Sequence, residues 1–164
     1  MAKKEKEVKT NAMRILERMK IKYEILTYEC DEFTDGLETA DKLNLPRHLV
    51  YKTLVTTGKS KQHYVFVLPI EAEIDFKKAA KVVGEKSLEM LPLKELTPLT
   101  GYVRGGCTSV GMKKQFPTVI DASAESLDAM YVSAGKLGAQ MKLAPADLCK
   151  AANAKFGEIT FVSE

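Results

Sequence analysis

The sequence predicts a single α/β domain, α+β-like in layout, in which a mixed sheet or partial barrel carries peripheral helices. Three observations lead there. The chain has 164 residues, the length of one domain. Strand-like and helix-like segments intermix without the strict strand–helix–strand alternation of a doubly wound sheet. Its composition, 45% hydrophobic and 29% charged, supplies a core, and a fold of this size can bury roughly 68–70% of its unfolded surface without a disulfide or a metal. The domain is expected over residues 10–164, after a charged flexible tail over residues 1–9 where Lys and Glu alternate.

Each element follows from local pattern. Thr10 is a plausible N-cap, and Ala12, Ile15, Leu16 and Met19 recur at helical spacing behind it, with Arg14 and Arg18 on the polar side. Tyr23, Ile25 and Thr27 alternate as in a strand that runs into an acidic loop from Asp31 to Asp35. A short helix from Leu37 to Leu43 follows. The segment VYKTLVTTGKSKQHYVFVLP is β-branched and aromatic at both ends around Gly-Lys-Ser-Lys, which predicts a hairpin. Asp75 caps a helix with Phe76, Ala79, Ala80 and Val83 on one face, Lys77, Lys78 and Lys81 on the other, and Gly84 as its stop. A short strand at Ser87 to Met90 precedes a helix from Pro92 through Leu96, after which Thr97, Pro98 and Gly101 break the pattern. Residues 117–122, 130–134 and 140–144 read as strands. Pro145, pre-organised for a first helical turn, opens a last helix expected to reach Phe156.

Composition excludes several chemistries. Lys plus Arg number 25 against 22 Asp plus Glu, a net charge of only +3, so a strongly basic DNA-coating surface is not expected. No apolar run approaches the roughly 18 residues a membrane helix needs, and the charged start lacks the apolar stretch of a signal peptide. A cytoplasmic protein is expected. The three cysteines, Cys30, Cys107 and Cys149, are far apart with no C-x-x-C pair, which rules out a disulfide framework or zinc finger. His48 and His63 lack metal-ligand spacing and sit where solvated side chains are expected. No metal and no cofactor are expected, and any mechanism has to work without a histidine base.

Four features remain. TGYVRGGCTSVGMKKQFPT holds four glycines between Gly101 and Gly111. Gly106 and Gly111 have phosphate-loop spacing, but Met112 stands where the loop lysine is required. The segment is either a pair of tight turns or a backbone-lined cleft beside Arg104, Lys113 and Lys114. Lys52 shares a strand face with Val50 and Leu54, so it either protects a sheet edge or points a cation into a pocket. Cys107 reads as a small buried hydrophobe, since no histidine accompanies it. Tyr28 is either a pocket wall or core.

In order, VYKTLV, TGYVRGGCTSVGMKKQFPTVIDA and YVSAGKLG resemble the motifs of the YbaK/EbsC family of aminoacyl-tRNA deacylases, over a span from Thr10 to Phe156. The resemblance implies a mixed, mostly antiparallel barrel-like sheet surrounded by helices. It implies trans-editing hydrolysis of mischarged tRNA(Pro), first of all Cys-tRNA(Pro). Lys52 would hold the terminal adenosine or its phosphate, Gly105 and Gly106 would form the backbone floor, Tyr28 would line the pocket, and Ser133 with Gly135 would close it. Three positions depart from the family pattern: Ala134 replaces a glycine, Gln140 stands at a substrate-binding position where an aspartate is common, and Phe33 falls out of place in its loop.

An aminoacyl ester is activated and needs positioning and charge stabilisation more than a strong enzymatic nucleophile. Backbone N–H groups and one lysine can supply these, and by the resemblance the substrate cysteine's own thiol assists by attacking its carbonyl. Lys77, Lys78, Lys81, Lys113, Lys114 and Lys136 are candidates for tRNA phosphate contacts. Prolyl-tRNA synthetase is the partner implied by analogy; neither membrane nor DNA is. The alternatives are an Ala-tRNA(Pro) or broader deacylase, and a non-catalytic module that binds tRNA or a synthetase.

Overall fold

The computed structural model describes residues 9–29 and 36–161. Most of the predicted tail, the acidic loop with Phe33, and Cys30 lie outside the described residues. Helix α1 (Asn11–Arg18) starts where Thr10 Oγ1 accepts the Met13 N–H at 3.1 Å, and it buries Ala12, Met13 and Leu16. The same hydroxyl donates to the Ala134 carbonyl at 2.6 Å, tying the cap to the far end of the chain. Strand β1 (Glu24–Thr27) and helix α2 (Gly36–Lys42) follow. The predicted hairpin is β2 (Tyr51–Gly58) and β3 (His63–Pro69), with Lys52 opposite Leu68 and Leu54 opposite Phe66. Helix α3 (Phe76–Val83) is capped as expected: Asp75 accepts the Lys77 and Lys78 N–H groups, and Gly84 ends the helix at φ 79°.

Strand β4 (Leu88–Met90) leads into helix α4 (Leu93–Thr100), which continues past its expected end at Leu96. Pro98 is tolerated because the N–H it lacks would have met the Lys94 carbonyl on the exposed side of the helix, where water can replace it. Thr100 Oγ1 donates to the Leu96 carbonyl, and Gly101, at φ 87°, closes the last turn with an N–H to Thr97. Strands β5 (Thr118–Asp121), β6 (Met130–Ser133) and β7 (Ala139–Leu143) lie close to their predicted places. Helix α5 (Pro145–Ala152) stops four residues short of the expected Phe156. Asn153 adopts left-handed angles (φ 53°, ψ 49°), which asparagine tolerates, and β8 (Ala154–Gly157) then pairs in parallel with β5.

Among the described residues the strands form a five-stranded sheet in the order β4-β2-β3-β5-β8 and a three-stranded sheet in the order β1-β7-β6. The β3–β5 and β5–β8 pairings are parallel and the others antiparallel. The sheet is therefore mixed and mostly antiparallel. It is open rather than a closed barrel, and among the described residues a parallel bridge, Val50 to Tyr131, connects the two sheets. The main core lies between them and includes Tyr51, Val67, Ile120, Val132 and Met141 with α1 and α5. A second core, with Phe66, Leu68, Ala79 and Ala80, fills the other face of the large sheet beneath α3. No helix among the described residues is long and apolar enough to cross a membrane.

Candidate active site

Strand β2 has neighbours along only part of its length. β3 flanks it from Tyr51 to Thr57, but on the other side β4 pairs only with Thr56 to Gly58, and between the contact of Leu91 N–H with Val55 C=O at 3.0 Å and the Val50–Tyr131 bridge that side is open. The hydrogen bonds Ile70 N–H to Val50 C=O and Gly58 N–H to Gln62 C=O fix the alternation of the ladder. Even-numbered residues of β2 bond to β3, so the Thr53 N–H and C=O face the open edge. A cavity of about 590 Å³ opens there, with Lys52, Arg104, Gly105, Cys107, Ser133 and Gln140 in its wall.

Lys52 lies on a stretch of locally unpaired strand edge, and that edge borders a cavity. Burial pulls its ammonium pKa down, and the Glu73 carboxylate opposes that shift. A partly desolvated cation in a wall is a ready partner for an anion or a developing negative charge. Gly105 adopts φ 85°, which a side chain would resist. Gly106 lies behind it: a Cβ there would come within 2.9 Å of the Lys136 carbonyl carbon, so only glycine lets the two loops approach.

Ser133 and Gln140 are cross-strand partners on β6 and β7. Ser133 Oγ accepts the Gly135 N–H at 3.2 Å. Gln140 is only 6% exposed, and its Oε1 has no hydrogen-bond partner among the described residues. Gly135, at φ 104°, packs on Thr10 and Tyr102 rather than in the wall. Tyr28 sits one step back, its hydroxyl receiving a 3.4 Å hydrogen bond from Thr39, which does line the cavity. Cys107 is buried and desolvation pushes its thiol up to about 12, as expected of a small hydrophobe. His48 is exposed as expected. His63 is not fully solvated: it is half-buried, with Nδ1 3.2 Å from Thr57 Oγ1 and its ring edge-to-face with Phe116.

None of the six candidate phosphate-binding lysines belongs to the cavity wall. Lys77, Lys78 and Lys81 ride on α3, and Lys78 Nζ donates to the Thr160 carbonyl at 3.0 Å. Lys113 Nζ donates to the Pro98 carbonyl, Lys114 lies 5.9 Å from the Phe116 ring centre, and Lys136 follows Gly135 in the loop behind Gly106. Sequence reasoning missed Thr39, Thr53, Ile70, Leu91, Leu93 and Leu96 as wall residues. Thr53 alone carried a signal, being next to Lys52; the rest are joined only by tertiary contact. No group of three His, Cys, Asp or Glu residues that could hold a metal occurs among the described residues.

Comparison with known proteins gives a consistent result. The model of the aminoacyl-tRNA editing domain matches residues 34–151. The chain is 45% identical over 161 residues to the Enterococcus faecalis protein EbsC, assigned by name as a Cys-tRNA(Pro)/Cys-tRNA(Cys) deacylase, with 98% of each chain covered. A crystal structure described as a trans-editing enzyme for prolyl tRNA synthetase superposes with a TM-score of 0.79 at 20% identity, covering 95% of this chain and all of that one. A crystal structure of a hypothetical protein superposes with a TM-score of 0.83, also at 20% identity, covering 93% of this chain and all of that one. These structures share the mixed α/β fold.

Proposed function

The chain belongs to the aminoacyl-tRNA editing domain family, and from that premise we propose that it is a trans-editing hydrolase for mischarged tRNA(Pro), with Cys-tRNA(Pro) as its main substrate. Aminoacyl-tRNA deacylation is the activity of the family; the amino acid, the tRNA and the residue roles are the proposal. Its support is the placement of Lys52, a partly desolvated cation on an unpaired strand edge, in the same cavity wall as Gly105, Ser133 and Gln140.

In this reading the aminoacyl end enters the cavity and Lys52 engages the phosphate or hydroxyl of the terminal nucleotide. Backbone N–H groups along the Gly105 loop and at Thr53 face the ester, where they offset charge that develops on the carbonyl oxygen. The substrate's thiolate attacks its own carbonyl carbon, a carbon–sulfur bond forms as the carbon–oxygen ester bond breaks, the ribose oxygen leaves and takes a proton from water, and water then opens the resulting β-thiolactone to free cysteine. A free cysteine thiol has a pKa near 8.5, so a few per cent is thiolate at neutral pH without an enzyme base. Cys107 is assigned no nucleophilic part, because burial pushes its thiol up to about 12. Prolyl-tRNA synthetase is the proposed partner for tRNA selection, and the lysines of α3 and of the loops near Gly101 and Gly106 are proposed to touch tRNA phosphates.

The decisive assay compares amino-acid release from Cys-tRNA(Pro), Ala-tRNA(Pro) and Pro-tRNA(Pro) by the wild type and by Lys52→Ala. Release from the cysteinyl substrate that Lys52→Ala lowers about a hundredfold is the expected result. Faster release of alanine would move the specificity, equal rates in both proteins would remove Lys52 from the site, and no release from any substrate would overturn the reading.

A further inference from the structure

The large apolar side chains that stay exposed are concentrated at the cavity mouth. Leu37, Met90 and Leu93 are 36%, 44% and 55% exposed and all border the cavity; Val103, 45% exposed, adjoins its Arg104. Scattered exposed leucines are ordinary, but a cluster from separate elements around one opening marks a contact. Leu37 comes from the first turn of α2, Met90 from the end of β4, and Leu93 from the start of α4.

The size and charge of the surroundings select the occupant. Exposed Glu38, Glu89, Lys94 and Glu95 flank the apolar positions, so the patch is only a few side chains wide, whereas a stable protein interface takes about 20–30 residues a side. The cavity wall behind it includes Lys52 and Arg104; the Glu73 carboxylate acts on Lys52 but is not part of the wall. Such a wall attracts an anion-bearing ligand. At about 590 Å³ the space also exceeds what an aminoacyl group fills. A flat apolar group attached to a phosphate, with the amino acid leading inward, meets all three conditions.

We propose that Leu37, Met90 and Leu93 form an aliphatic seat for the 3′-terminal base of the aminoacyl-tRNA, gripping its faces while the ester reaches Lys52, Ser133 and Gln140. The seat rests on the functional reading above and deepens it. It makes recognition of the terminal nucleotide a matter of shape and burial, and the methionine thioether is well suited to an aromatic face.

The test uses the full chain with isotope-labelled methionine methyl groups, titrated with adenosine 5′-monophosphate or with ribose 5-phosphate. Only the first is expected to move the Met90 methyl signal. In parallel, a Met90→Ser/Leu93→Ser protein is compared with Met90→Leu/Leu93→Met. Both positions are exposed, so the fold is kept. The serine variant is expected to raise KM for aminoacyl-tRNA about tenfold with kcat little changed, and the apolar swap to restore it. A Met90 signal that ignores the nucleotide, or an unchanged KM, overturns the seat and leaves the rim to a protein contact. If the methyl responds but no tRNA is hydrolysed, the functional reading fails while the seat stands.

Discussion

The two halves of β2 have different surroundings. From Thr56 to Gly58 the strand is enclosed by β3 and β4, and neighbouring Leu88 helps seal the core beneath α3. Between the Val50–Tyr131 bridge and the Val55–Leu91 hydrogen bond it has β3 on one side and a cavity on the other. One continuous hairpin therefore supplies both a fully paired scaffold and an unsatisfied edge. In the proposed site, ending a neighbouring strand early leaves backbone groups and one lysine beside a cavity whose wall the Gly105 loop completes. Rigid elements hold such groups more precisely than loops do.

The contrast can be broken from either end. The largest expected effect is on the closed half: Leu88→Ala should cost about 2–5 kcal/mol of stability, measured by urea unfolding, with kcat at low temperature unchanged. A substantial loss of kcat at full folding would show that the halves are coupled. Lys52→Ala on the open half should do the reverse, lowering hydrolysis about a hundredfold, about 2.7 kcal/mol in the barrier, while thermal stability holds or rises slightly because a desolvated cation is gone. A falling Tm would make Lys52 a structural residue.

Behind the open half, Gly106→Val should cost about 1–3 kcal/mol, since the new side chain meets backbone at 2.9 Å, and hydrolysis should fall through the displaced Gly105 loop. Equal activity per folded molecule would separate the floor from the chemistry. The smallest effect is a pH dependence. With its folded pKa near 12 against an ordinary value near 8.5, Cys107 binds its proton more tightly in the native state. The stability this confers is complete below pH about 8.5 and is lost as pH rises toward 12. Between pH 9 and 11 the Tm of Cys107→Ala should therefore fall less steeply than that of the wild type. Parallel slopes would mean that the thiol is not desolvated in solution.

Some elements were legible because their causes are local. Thr10 and Asp75 cap helices through hydrogen bonds that span two or three residues, Gly84 and Gly101 take left-handed angles that few other residues accept, and the hairpin is written in alternating β-branched residues around a glycine turn. Others were not. Asn153 turns the chain out of α5 into β8 because a parallel place beside β5 is available, and β5 lies more than thirty positions earlier. Pro98 reads as a helix breaker, yet it is accommodated where the orphaned carbonyl faces water.

The candidate site divides in the same way. Lys52 and the glycine run could be singled out from sequence because their residue types are unusual for their surroundings, and Ser133 only through the resemblance of its motif. Whether Lys52 guarded an edge or faced a pocket could not be decided there, since strand alternation gives the face of a side chain but not the neighbour of the strand. Likewise, residue type gave no warning that Gln140 would be buried with an oxygen unpaired among the described residues, or that Leu37, Met90 and Leu93 would meet at one mouth. By itself the sequence determined the fold class, most of the elements and the chemistry available without histidine or metal, because propensity, capping and scarcity are read along the chain. Only the tertiary structure decided that β4 stops short of Lys52 and opens a cavity there, because an edge is defined by which strand is missing beside it.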